Sequence, residues 1–499
     1  MVSPAGAGKG GGINGDDAAA AAAADADADA ALPLLDRATA ASLHASPPSP
    51  LRWLVLLTFS LVSAQQQMGW VLPGAIQPNF VAVYGVDEDT IQLLENYGTI
   101  FFIVFALPSA WALDRLGCRV PVLACCALML ACSVLRVLAR DSAPGSLALV
   151  HLAMILDAVV GPVVMAAPSK LAADWFPPAE RTVATALAAL SNQSGSIVVY
   201  VLVPLLCPDA SEAGMRRLNL VLLGVSVLNC ALAALYFPSL PPHAPSASAA
   251  LERADGSAER ITLRSLFGAW RAFARDASYV CIMVSYSLVA GFANPQGSLL
   301  EPGLAGLGAS EGAAGWVNAA AQLASLVVGV GVSAGVDALK RRARWLHKAA
   351  LVGSVAAAGV TYLLYAAAFA PPVTAALGSL ALPVAAASFC AANGFIGAAI
   401  PLWFDSAAER AFGKGPDGAM LMGLVLPLNV VTLAVLFAPA SSFFAWINYG
   451  VAAVTLASAV ALQLVVPSTL QRFDFDMEAA ALEGGSDDSV AAKALEEAA

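Results

Sequence analysis

Glutamine, asparagine and tryptophan side chains interrupt the apolar stretches of this chain at spacings that could serve binding chemistry. Gln66, Trp70, Pro73 and Gln77 follow one another at i, i+4, i+7 and i+11, which places all four along one face of a helix. Their amides offer hydrogen bonds, and an indole face can stack on a ring or attract a cation. Because Pro73 cannot donate a backbone hydrogen bond, the carbonyl group of Gly69 is left free beside this stripe. The stripe is therefore a candidate surface for binding a small solute.

The apolar stretches themselves belong in a membrane. Of the 499 residues, 59% are hydrophobic and 12% are charged, against roughly 45–50% and about 25% in soluble globular domains. A soluble fold could not bury so much apolar surface, so the composition excludes a soluble enzyme and predicts many membrane spans. The formal net charge of −10 also excludes a basic protein steered to nucleic acid. Because the sequence contains no nucleophile with a base, no metal-ligand spacing and no phosphate loop, we expect neither an enzyme nor a bound cofactor.

Polar side chains in a membrane are costly unless they face the interior of a helix bundle, so they locate a solute pathway. The alternative for the Gln66 stripe is structural: an interfacial tryptophan and amides that join neighbouring helices. Three consecutive glutamines, from Gln65 to Gln67, favour the binding interpretation. Asn294 begins an Asn-Pro-Gln-Gly sequence, which predicts a broken helix with exposed backbone groups. The further candidates for substrate binding are Asn192, Gln193, Asn294, Asn318, Gln322 and Asn429. We expect fewer than half of these groups to contact a substrate.

Three acidic residues in the apolar stretches are candidates for proton coupling: Asp157, Glu95 and Glu301. Asp157 is the first candidate, because burial in an apolar helix favours the neutral form of an isolated carboxyl group. An equally weighted alternative is a structural ion pair between Asp157 and Arg136. The stretches contain no central pair of cations, which a polyanionic substrate would need. The charges therefore favour a neutral or cationic solute.

Twelve apolar segments are long enough to cross a bilayer. They cover approximately residues 53–80, 91–113, 120–138, 147–173, 182–206, 218–237, 277–300, 313–336, 346–369, 374–402, 418–438 and 443–465. The predicted fold class is an all-α membrane protein with twelve transmembrane helices in two six-helix bundles. With the amino terminus in the cytoplasm, 21 of the 25 Lys and Arg residues fall on the inner side. This distribution satisfies the positive-inside rule with both termini cytoplasmic.

The longest interruption between the segments divides the chain into domains. It is the Pro-rich and basic stretch 239–275, which we interpret as a cytoplasmic linker. The two bundles are then residues 51–238 and 276–466. The tails, residues 1–50 and 467–499, together carry the net charge of −10 and are rich in Ala, Gly, Ser and Asp. With little to bury, both tails are predicted to be disordered.

Charged residues at the inner ends of the segments are candidates for a gate. In the loop from Asp114 to Arg119 a carboxylate is embedded among bases, and an ion pair that breaks and reforms would bias a rocking motion. The alternative is simple positive-inside anchoring. The candidate gating residues are Asp114, Arg115, Arg119, Glu180, Arg181, Asp337, Glu409 and Arg410.

The two halves of the chain form a weak repeat. A Trp-Phe pair with a following Glu-Arg pair occurs after the fourth segment and again after the tenth, as Trp175-Phe176 with Glu180-Arg181 and as Trp403-Phe404 with Glu409-Arg410. Equivalent loops after equivalent segments suggest two bundles related by a parallel repeat. In this arrangement the chain resembles the major facilitator superfamily.

Further motifs resemble solute carrier family 49 within that superfamily. The resemblance covers roughly residues 51–466 and is stronger in the first half. It is carried by Arg52-Trp53-Leu54-Val55-Leu56-Leu57 with Tyr84-Gly85-Val86, by Leu107-Pro108-Ser109-Ala110-Trp111, by Gly161-Pro162-Val163-Val164-Met165-Ala166-Ala167-Pro168, and by Asn192-Gln193-x-Gly195.

This resemblance implies a facilitator-type transporter for a small organic solute, and choline, ethanolamine, heme and vitamin B6 are associated with the family. Trp70 and Gln193 match binding residues of the family directly. Asn429 stands where the family often has Gln, and Asn294 stands where choline-type members have an aromatic residue. Because an amide cannot supply that cation–π face, a hydroxylated ring such as pyridoxine gains weight against choline. Heme ranks lower, since no His or Tyr is placed as an iron ligand.

Two classes of function follow from the sequence. The leading hypothesis is a monomeric secondary transporter that carries its solute across the bilayer by alternating access. The competing hypothesis is a membrane receptor or nutrient sensor that binds the solute without moving it. The expected partners are a small-molecule substrate and the lipid bilayer, and no nucleic acid. For location we expect a lysosomal or vacuolar membrane or the plasma membrane, since Leu34-Leu35 resembles an acidic dileucine signal.

Overall fold

The structure is a computed structural model that describes residues 48–140, 144–207, 211–256, 263–436 and 443–480. Within these ranges all regular secondary structure is helical, which confirms the predicted all-α class. The predicted N-terminal tail, residues 1–50, lies outside the described residues up to position 47.

The helices follow the predicted order along the chain. The first bundle contains α1 (Arg52–Ala75), α2 (Gln77–Tyr84), α3 (Glu88–Leu116), α4 (Arg119–Leu138), α5 (Pro144–Trp175), α6 (Arg181–Leu206) and α7 (Glu212–Leu235). Two linker helices follow, α8 (Ala247–Gly256) and α9 (Leu263–Phe273). The second bundle contains α10 (Ala277–Ala293), α11 (Gln296–Ala305), α12 (Glu311–Leu339), α13 (Trp345–Ala368), α14 (Pro371–Leu377), α15 (Ala381–Ala411), α16 (Asp417–Leu436) and α17 (Phe443–Val465). A last helix, α18, covers residues 471–480.

Ten of the described helices are long and apolar enough to cross a membrane, or up to 11 when α9 and α10 count as one bent span. Helix α1 fills the first span position, although its three glutamines lower its hydropathy. Helices α10 and α11 together fill the seventh position. Ten of the twelve predicted spans therefore correspond to helices that are long and apolar enough to cross a membrane, and α1 and the broken α10–α11 pair occupy the other two positions.

The two bundles meet along two helix pairs, α3 with α16 and α6 with α12. Additional contacts join α5 to α16 and α6 to α15. One continuous hydrophobic core runs through both halves, from Phe59 and Trp175 in the first bundle to Trp403 in the second. The polar groups described below are embedded in this core or lie at its ends.

Two predicted helix geometries have different outcomes. The break predicted at Asn294 is confirmed, since α10 ends at Ala293 and α11 begins at Gln296. The prediction that Gln66 to Gln77 form a continuous helical stripe is wrong at the Gln77 end. Helix α1 stops at Ala75, Ile76 leaves the helical conformation at φ −126° and ψ 35°, and Gln77 begins α2. The reason is the proline at the start of α2, which lacks the N–H that a continuous helix needs there.

The beginning of the C-terminal tail is ordered. Residues 471–480, which the composition predicts to be disordered, form helix α18. Arg472, Phe473, Phe475 and Asp476 are buried. The physical reason is local: between positions 470 and 476 the acidic tail contains apolar residues next to charged ones. These apolar side chains can pack on the bundles while the charges find partners there.

Helices α12 and α15 approach each other closely at Gly397. A methyl group at this position would stand 2.7 Å from the carbonyl carbon of Ser325, a contact that a backbone atom cannot relieve by rotating. We expect Gly397→Ala to destabilise the purified protein in thermal unfolding, by about 1–3 kcal/mol.

Gly331→Ala, in α12, is the matched control, because a methyl group there would meet open space. It should leave the melting temperature nearly unchanged. Equal melting temperatures for the two variants would contradict the close approach of α12 and α15.

Candidate functional site

Three polar side chains meet where α1, α5 and α6 pack together. The Gln66 amide nitrogen lies 3.5 Å from a carboxylate oxygen of Asp157. The Asn192 amide donates to the side-chain oxygen of Gln66 at 3.0 Å and to the carbonyl of Ser63 at 2.9 Å. Gln66 and Asp157 are only 4% and 2% exposed. These three residues, Gln66, Asp157 and Asn192, are called the polar cluster below.

Arg136 of α4 reaches the same region. Its guanidinium donates to the carbonyl oxygen of Gly69 at 2.8 Å. The carbonyl group that Pro73 leaves without a backbone donor is therefore hydrogen-bonded to Arg136. The positive charge of Arg136 acts on Asp157, while the hydrogen bond to the Asp157 carboxylate comes from Gln66. A methyl group on Gly69 would come within 3.0 Å of the Asp157 carboxyl carbon, so α1 packs directly on this carboxylate.

Trp70 and Glu95 join α1 to α3 beside the polar cluster. The indole N–H of Trp70 donates to the backbone carbonyl of Glu95 at 2.7 Å. The indole also lies against Gly98, and the Glu95 side chain lies against Gly74 of α1. Because the indole N–H is already used, the half-buried Trp70 has its ring rather than a donor to offer a solute.

Several predicted substrate-binding residues lie at the contact between the bundles. The Ser325 hydroxyl of α12 donates to the side-chain oxygen of Gln193 on α6 at 2.9 Å. The Asn318 amide of α12 lies 3.5 Å from the hydroxyl of Tyr200 on α6. Gln322, which is half-buried, lies between Asn318 and Ser325 on the same helix. These contacts join the two bundles along the α6 and α12 pair.

Two substrate-binding candidates in the second bundle, Asn294 and Asn429, differ in their exposure. Asn294 is exposed at the helix break, and its amide donates to the hydroxyl of Thr432 on α16 at 3.4 Å. Asn429 is buried, and its amide donates to the Val425 carbonyl of its own helix at 2.9 Å. Asn294 is therefore exposed beside the helix break, whereas the Asn429 amide bonds within α16. Glu301 belongs to α11, but its side chain lies outside the described residues.

Two of the three consecutive glutamines join neighbouring helices, which is the structural alternative to solute binding. Gln65 bonds to the Ser226 hydroxyl and thereby joins α1 to α7. Gln67 donates to the Ser196 hydroxyl of α6 at 3.1 Å. Gln66, between them, faces the carboxylate of the polar cluster. Successive residues of a helix point in different directions, so only one of the three could line a common surface.

Two carboxylates join the bundles at the end of the molecule where α3 and α12 finish, which we call the closed face. Asp114 of α3 accepts hydrogen bonds from the backbone N–H groups of Gly418 and Ala419 at 2.6 and 3.2 Å, at the start of α16. Asp337 of α12 accepts one from the N–H of Val183 at 2.8 Å, at the start of α6. Each bundle thus caps a helix of the other, where the helix dipole favours a negative charge.

The predicted gating bases beside Asp114 do not pair with it. Arg115 and Arg119 are exposed, and the Arg115 guanidinium stands 5.2 Å from the centre of the Trp111 ring. The backbone N–H groups of α16 take the place of an arginine partner because they lie directly opposite the end of α3. The sequence could not indicate this, since backbone donors have no residue signature.

Glu180 and Arg410 form ion pairs within their own halves. Arg52 pairs with Glu180 at 3.0 Å in the first half. Arg410 pairs with Asp276 at 3.1 Å in the second half. Both pairs therefore stabilise a single bundle and do not bridge the two.

Thr182 adds a further contact across the closed face, which sequence reasoning missed. Its hydroxyl donates to Asp405 of α15 at 2.9 Å and accepts from Lys340 at 3.2 Å. Lys340 also pairs with Asp337 at 2.6 Å. A ring nitrogen of His347 lies 3.3 Å from the same carboxylate oxygen of Asp405. The repeated Trp-Phe sequence contained Asp405, but its contact with a helix of the other bundle is a property of the tertiary fold.

Helix α18 covers the closed face through Arg472, which is only 2% exposed. The Arg472 backbone N–H donates to the Glu409 carboxylate at 2.7 Å. Its guanidinium pairs with Glu252 of α8 at 2.8 Å and lies 4.0 Å from Asp417 at the start of α16. Burial raises the pKa of Glu252 to about 7, although the Arg472 charge acts in the opposite direction.

Asp476 attaches the same helix to the first bundle. Its carboxylate pairs with Arg181 of α6 at 3.2 Å and accepts the backbone N–H of Ser248 on α8 at 2.7 Å. Together, Arg472 and Asp476 connect α18 to both bundles and to the linker. We call α18 with these two side chains the tail clamp.

Comparison with known proteins adds independent observations. The profile of the Major Facilitator Superfamily matches residues 57–415. The "Solute carrier family 49 member 4 homolog" of Xenopus tropicalis is 27% identical over 420 residues, which cover 80% of this chain and 87% of that protein. The human "Choline/ethanolamine transporter FLVCR2" is 26% identical over 245 residues, which cover 48% of this chain and 45% of that protein. These relatives confirm the resemblance to solute carrier family 49.

Solved structures show the same architecture. The proton:xylose symporter XylE bound to 6-bromo-6-deoxy-D-glucose has a TM-score of 0.64 at 14% identity, covering 86% of this chain and 99% of that one. A bacterial homologue of the iron transporter ferroportin in its outward-facing state has a TM-score of 0.58 at 17% identity, covering 83% and 99%. This likeness confirms the predicted fold. From the profile match and the shared architecture, the chain belongs to the major facilitator superfamily.

Proposed function

We propose that this chain is a secondary transporter that carries a small neutral or cationic organic solute across a membrane by alternating access. The observation that carries the proposal is the polar cluster, in which the Gln66 amide faces the buried carboxylate of Asp157 and the Asn192 amide in turn donates to Gln66. An ionisable group in the middle of a membrane bundle is costly and marks a solute or proton pathway. The half-buried ring of Trp70 stands one helical turn from Gln66 and is the stacking surface of the proposed site.

The charges beside the polar cluster support a solute that donates hydrogen bonds or carries positive charge. Asp157 and Glu95 supply carboxylates, while the guanidinium of Arg136 is engaged by the Gly69 carbonyl. A ring hydroxyl or an ammonium group would complement such acceptors. The name of the human relative refers to choline and ethanolamine, and Asn294 in place of an aromatic residue favours a hydroxylated ring. The proposed substrates are therefore vitamin B6-like or choline-like.

Alternating access would proceed by rocking of the two halves. We propose residues 51–238 and 276–466 as the moving bodies and residues 239–275 as their linker. The Gln193–Ser325 and Asn318–Tyr200 contacts would act at the hinge between α6 and α12 rather than bind solute. Opening of the closed face would release the helix caps formed by Asp114 and Asp337, and water would replace them.

We assign the closed face to the cytoplasm. The distribution of Lys and Arg supports this orientation, since 21 of the 25 bases belong to the side that includes both tails. The solute would then enter the site from the opposite side, which is the lumen of a lysosome or vacuole or the outside of the cell. The proposed transporting unit is a monomer, because each bundle finds its partner within the same chain.

A receptor or nutrient sensor, and a heme transporter, are the competing functions. Counterflow into proteoliposomes preloaded with unlabelled pyridoxine, choline or heme separates them. We expect transient accumulation of labelled pyridoxine or choline above equilibrium, because a transporter exchanges solute across the membrane. Saturable binding without exchange would support the receptor and end the transport proposal, and exchange of heme alone would replace the proposed substrate class.

Asp157→Asn tests the proposed proton-coupling role. The amide keeps the size of the side chain and its contact with Gln66 but cannot release a proton. We expect uptake driven by a proton gradient to fall on the order of tenfold or more. Counterflow exchange at equal pH should remain within about twofold, because exchange needs no net proton movement.

Asp89→Asn, at an exposed position of α3, is the matched control and should leave both activities intact. Unchanged driven uptake in a folded Asp157→Asn protein would remove Asp157 from the pathway. Loss of both driven uptake and exchange would assign this carboxylate to solute binding instead of proton coupling.

Arg472→Gln tests the tail clamp as part of the gate. Removal of one partner of a fully buried ion pair costs about 3–5 kcal/mol. Arg472 is buried but Glu252 is 34% exposed, so the cost here is smaller, and the closed face should still open more often. Cys118, which is buried near this face, is a natural probe, and its rate of alkylation can be followed by peptide mass spectrometry. We expect that rate to rise on the order of tenfold, which needs only about 1.4 kcal/mol of that cost.

Arg52→Gln is the control, because it breaks the pair with Glu180 inside one bundle and leaves the clamp in place. Its Cys118 should react at the wild-type rate. A wild-type rate in Arg472→Gln would show that the clamp does not hold the closed face.

A further inference from the structure

Helix α9 has an orientation unlike that of the spans. It immediately precedes α10 and makes an angle of 97° with it. Since α10 is part of a membrane span, a helix perpendicular to it runs along the membrane surface. Its position before α10 puts it on the same side as the closed face, because Trp270 of α9 contacts the start of α16 there.

The two sides of α9 differ in what they contact. Leu266, Ala269 and Phe273 are buried against the protein. On the other side, Arg264 and Arg271 are exposed, and Phe267 between them is 53% exposed. A helix with a basic, aromatic outer stripe and an anchored inner stripe is typical of segments that lie in the headgroup layer.

The bases of α9 and of the turn that follows it differ from their neighbours, because among the described residues they have no acidic partner. Arg264 and Arg271 in α9 and Arg275 two residues after it are exposed, and their guanidinium groups form no hydrogen bond or ion pair with the part of the chain that the structure describes. By contrast, Arg410 and Lys414 both pair with Asp276, at 3.1 and 2.7 Å. The acid next to α9 is thus already neutralised, and the three guanidinium groups remain available to an external anion.

We propose that α9 binds the headgroups of anionic phospholipids in the surrounding bilayer. Phe267 inserts at the boundary between headgroups and acyl chains, while the arginine stems lie along it and their guanidinium groups reach lipid phosphates. In the orientation assigned above this is the cytoplasmic leaflet, which carries phosphatidylserine and phosphatidylinositol lipids. The occupant is a lipid rather than a soluble anion, because an exposed aromatic ring stands between the bases.

The bound lipid would support the closed face through a direct contact. The indole N–H of Trp270 donates to the carbonyl of Ala419 at 2.6 Å, and the N–H of Ala419 donates to Asp114 at 3.2 Å. A helix held against the membrane by its outer stripe therefore fixes the segment on which the Asp114 cap depends.

The experiment is a thermal-unfolding titration of the full-length protein in mixed micelles with phosphatidylserine or phosphatidylcholine. A ligand that binds only the folded state raises the melting temperature, and the rise grows with the logarithm of its concentration above the Kd. We expect phosphatidylserine to raise it and phosphatidylcholine to have little effect. In the triple variant Arg264→Gln, Arg271→Gln, Arg275→Gln, the apparent affinity should fall on the order of 100-fold, at about fivefold for each base removed.

Arg216→Gln with Arg217→Gln is the matched control, because these exposed bases lie at the start of α7 on the opposite side. It should respond to phosphatidylserine as the wild type does. Phe267→Ala should also weaken the response, since insertion of the ring contributes to binding. An equal phosphatidylserine response in the triple variant, or no effect of Phe267→Ala, would overturn the proposal. So would the same stabilisation by inorganic phosphate, because a soluble anion would then suffice.

Discussion

The closed face depends on carboxylates that cap helices of the opposite bundle. A helix leaves its first N–H groups without partners of their own, and Asp114 and Asp337 supply acceptors for α16 and α6. An unsatisfied buried group costs about 1–3 kcal/mol, so the bundles are held together while water is excluded. When water enters, it can satisfy the same N–H groups and carboxylates. A contact that is strong without water and can be replaced by water suits the alternating access that we propose for this chain. The two caps are also reciprocal, so neither bundle can leave the other without releasing both.

The apolar surroundings of the spans explain why many candidate binding residues turn out to be structural. A polar side chain in such a core needs a partner, and the nearest one is often on the same or an adjacent helix. Asn429 bonds to its own backbone, Gln67 bonds to Ser196, and Gln193 bonds across the bundles to Ser325. The polar cluster differs because it contains the carboxylate of Asp157. A single amide donor satisfies the hydrogen-bonding capacity of a carboxylate only in part. Asn294 differs because the helix break leaves it exposed. We therefore propose these two places as the points of solute contact.

The spans, their order and the break at Asn294 could be predicted from the sequence because they depend on local composition and on proline. The role of Gln77 could not, since helical spacing assumes a continuous helix and Ile76 interrupts it. The grouping of Gln66, Asp157 and Asn192 required the packing of three helices that are distant along the chain. Arg115 and Arg119 were natural partners for Asp114 by proximity in sequence. The backbone donors of α16 are nearer in space, and no residue type in the sequence indicates a backbone donor.

The tail clamp shows why the net charge of a whole segment can be misleading. The C-terminal tail is acidic as a whole, yet its functional charge at the closed face is the base Arg472. Glu252 from the linker, Asp417 from α16 and Glu409 from α15 all approach this residue. Without a cation among them, three partly or fully buried carboxylates would repel one another and would be costly to keep from water. Arg472 supplies that cation, and Asp476 in turn neutralises Arg181 of the first bundle. The clamp therefore matches charges that neither bundle could bury alone, which makes closure of this face a joint property of the bundles, the linker and the tail.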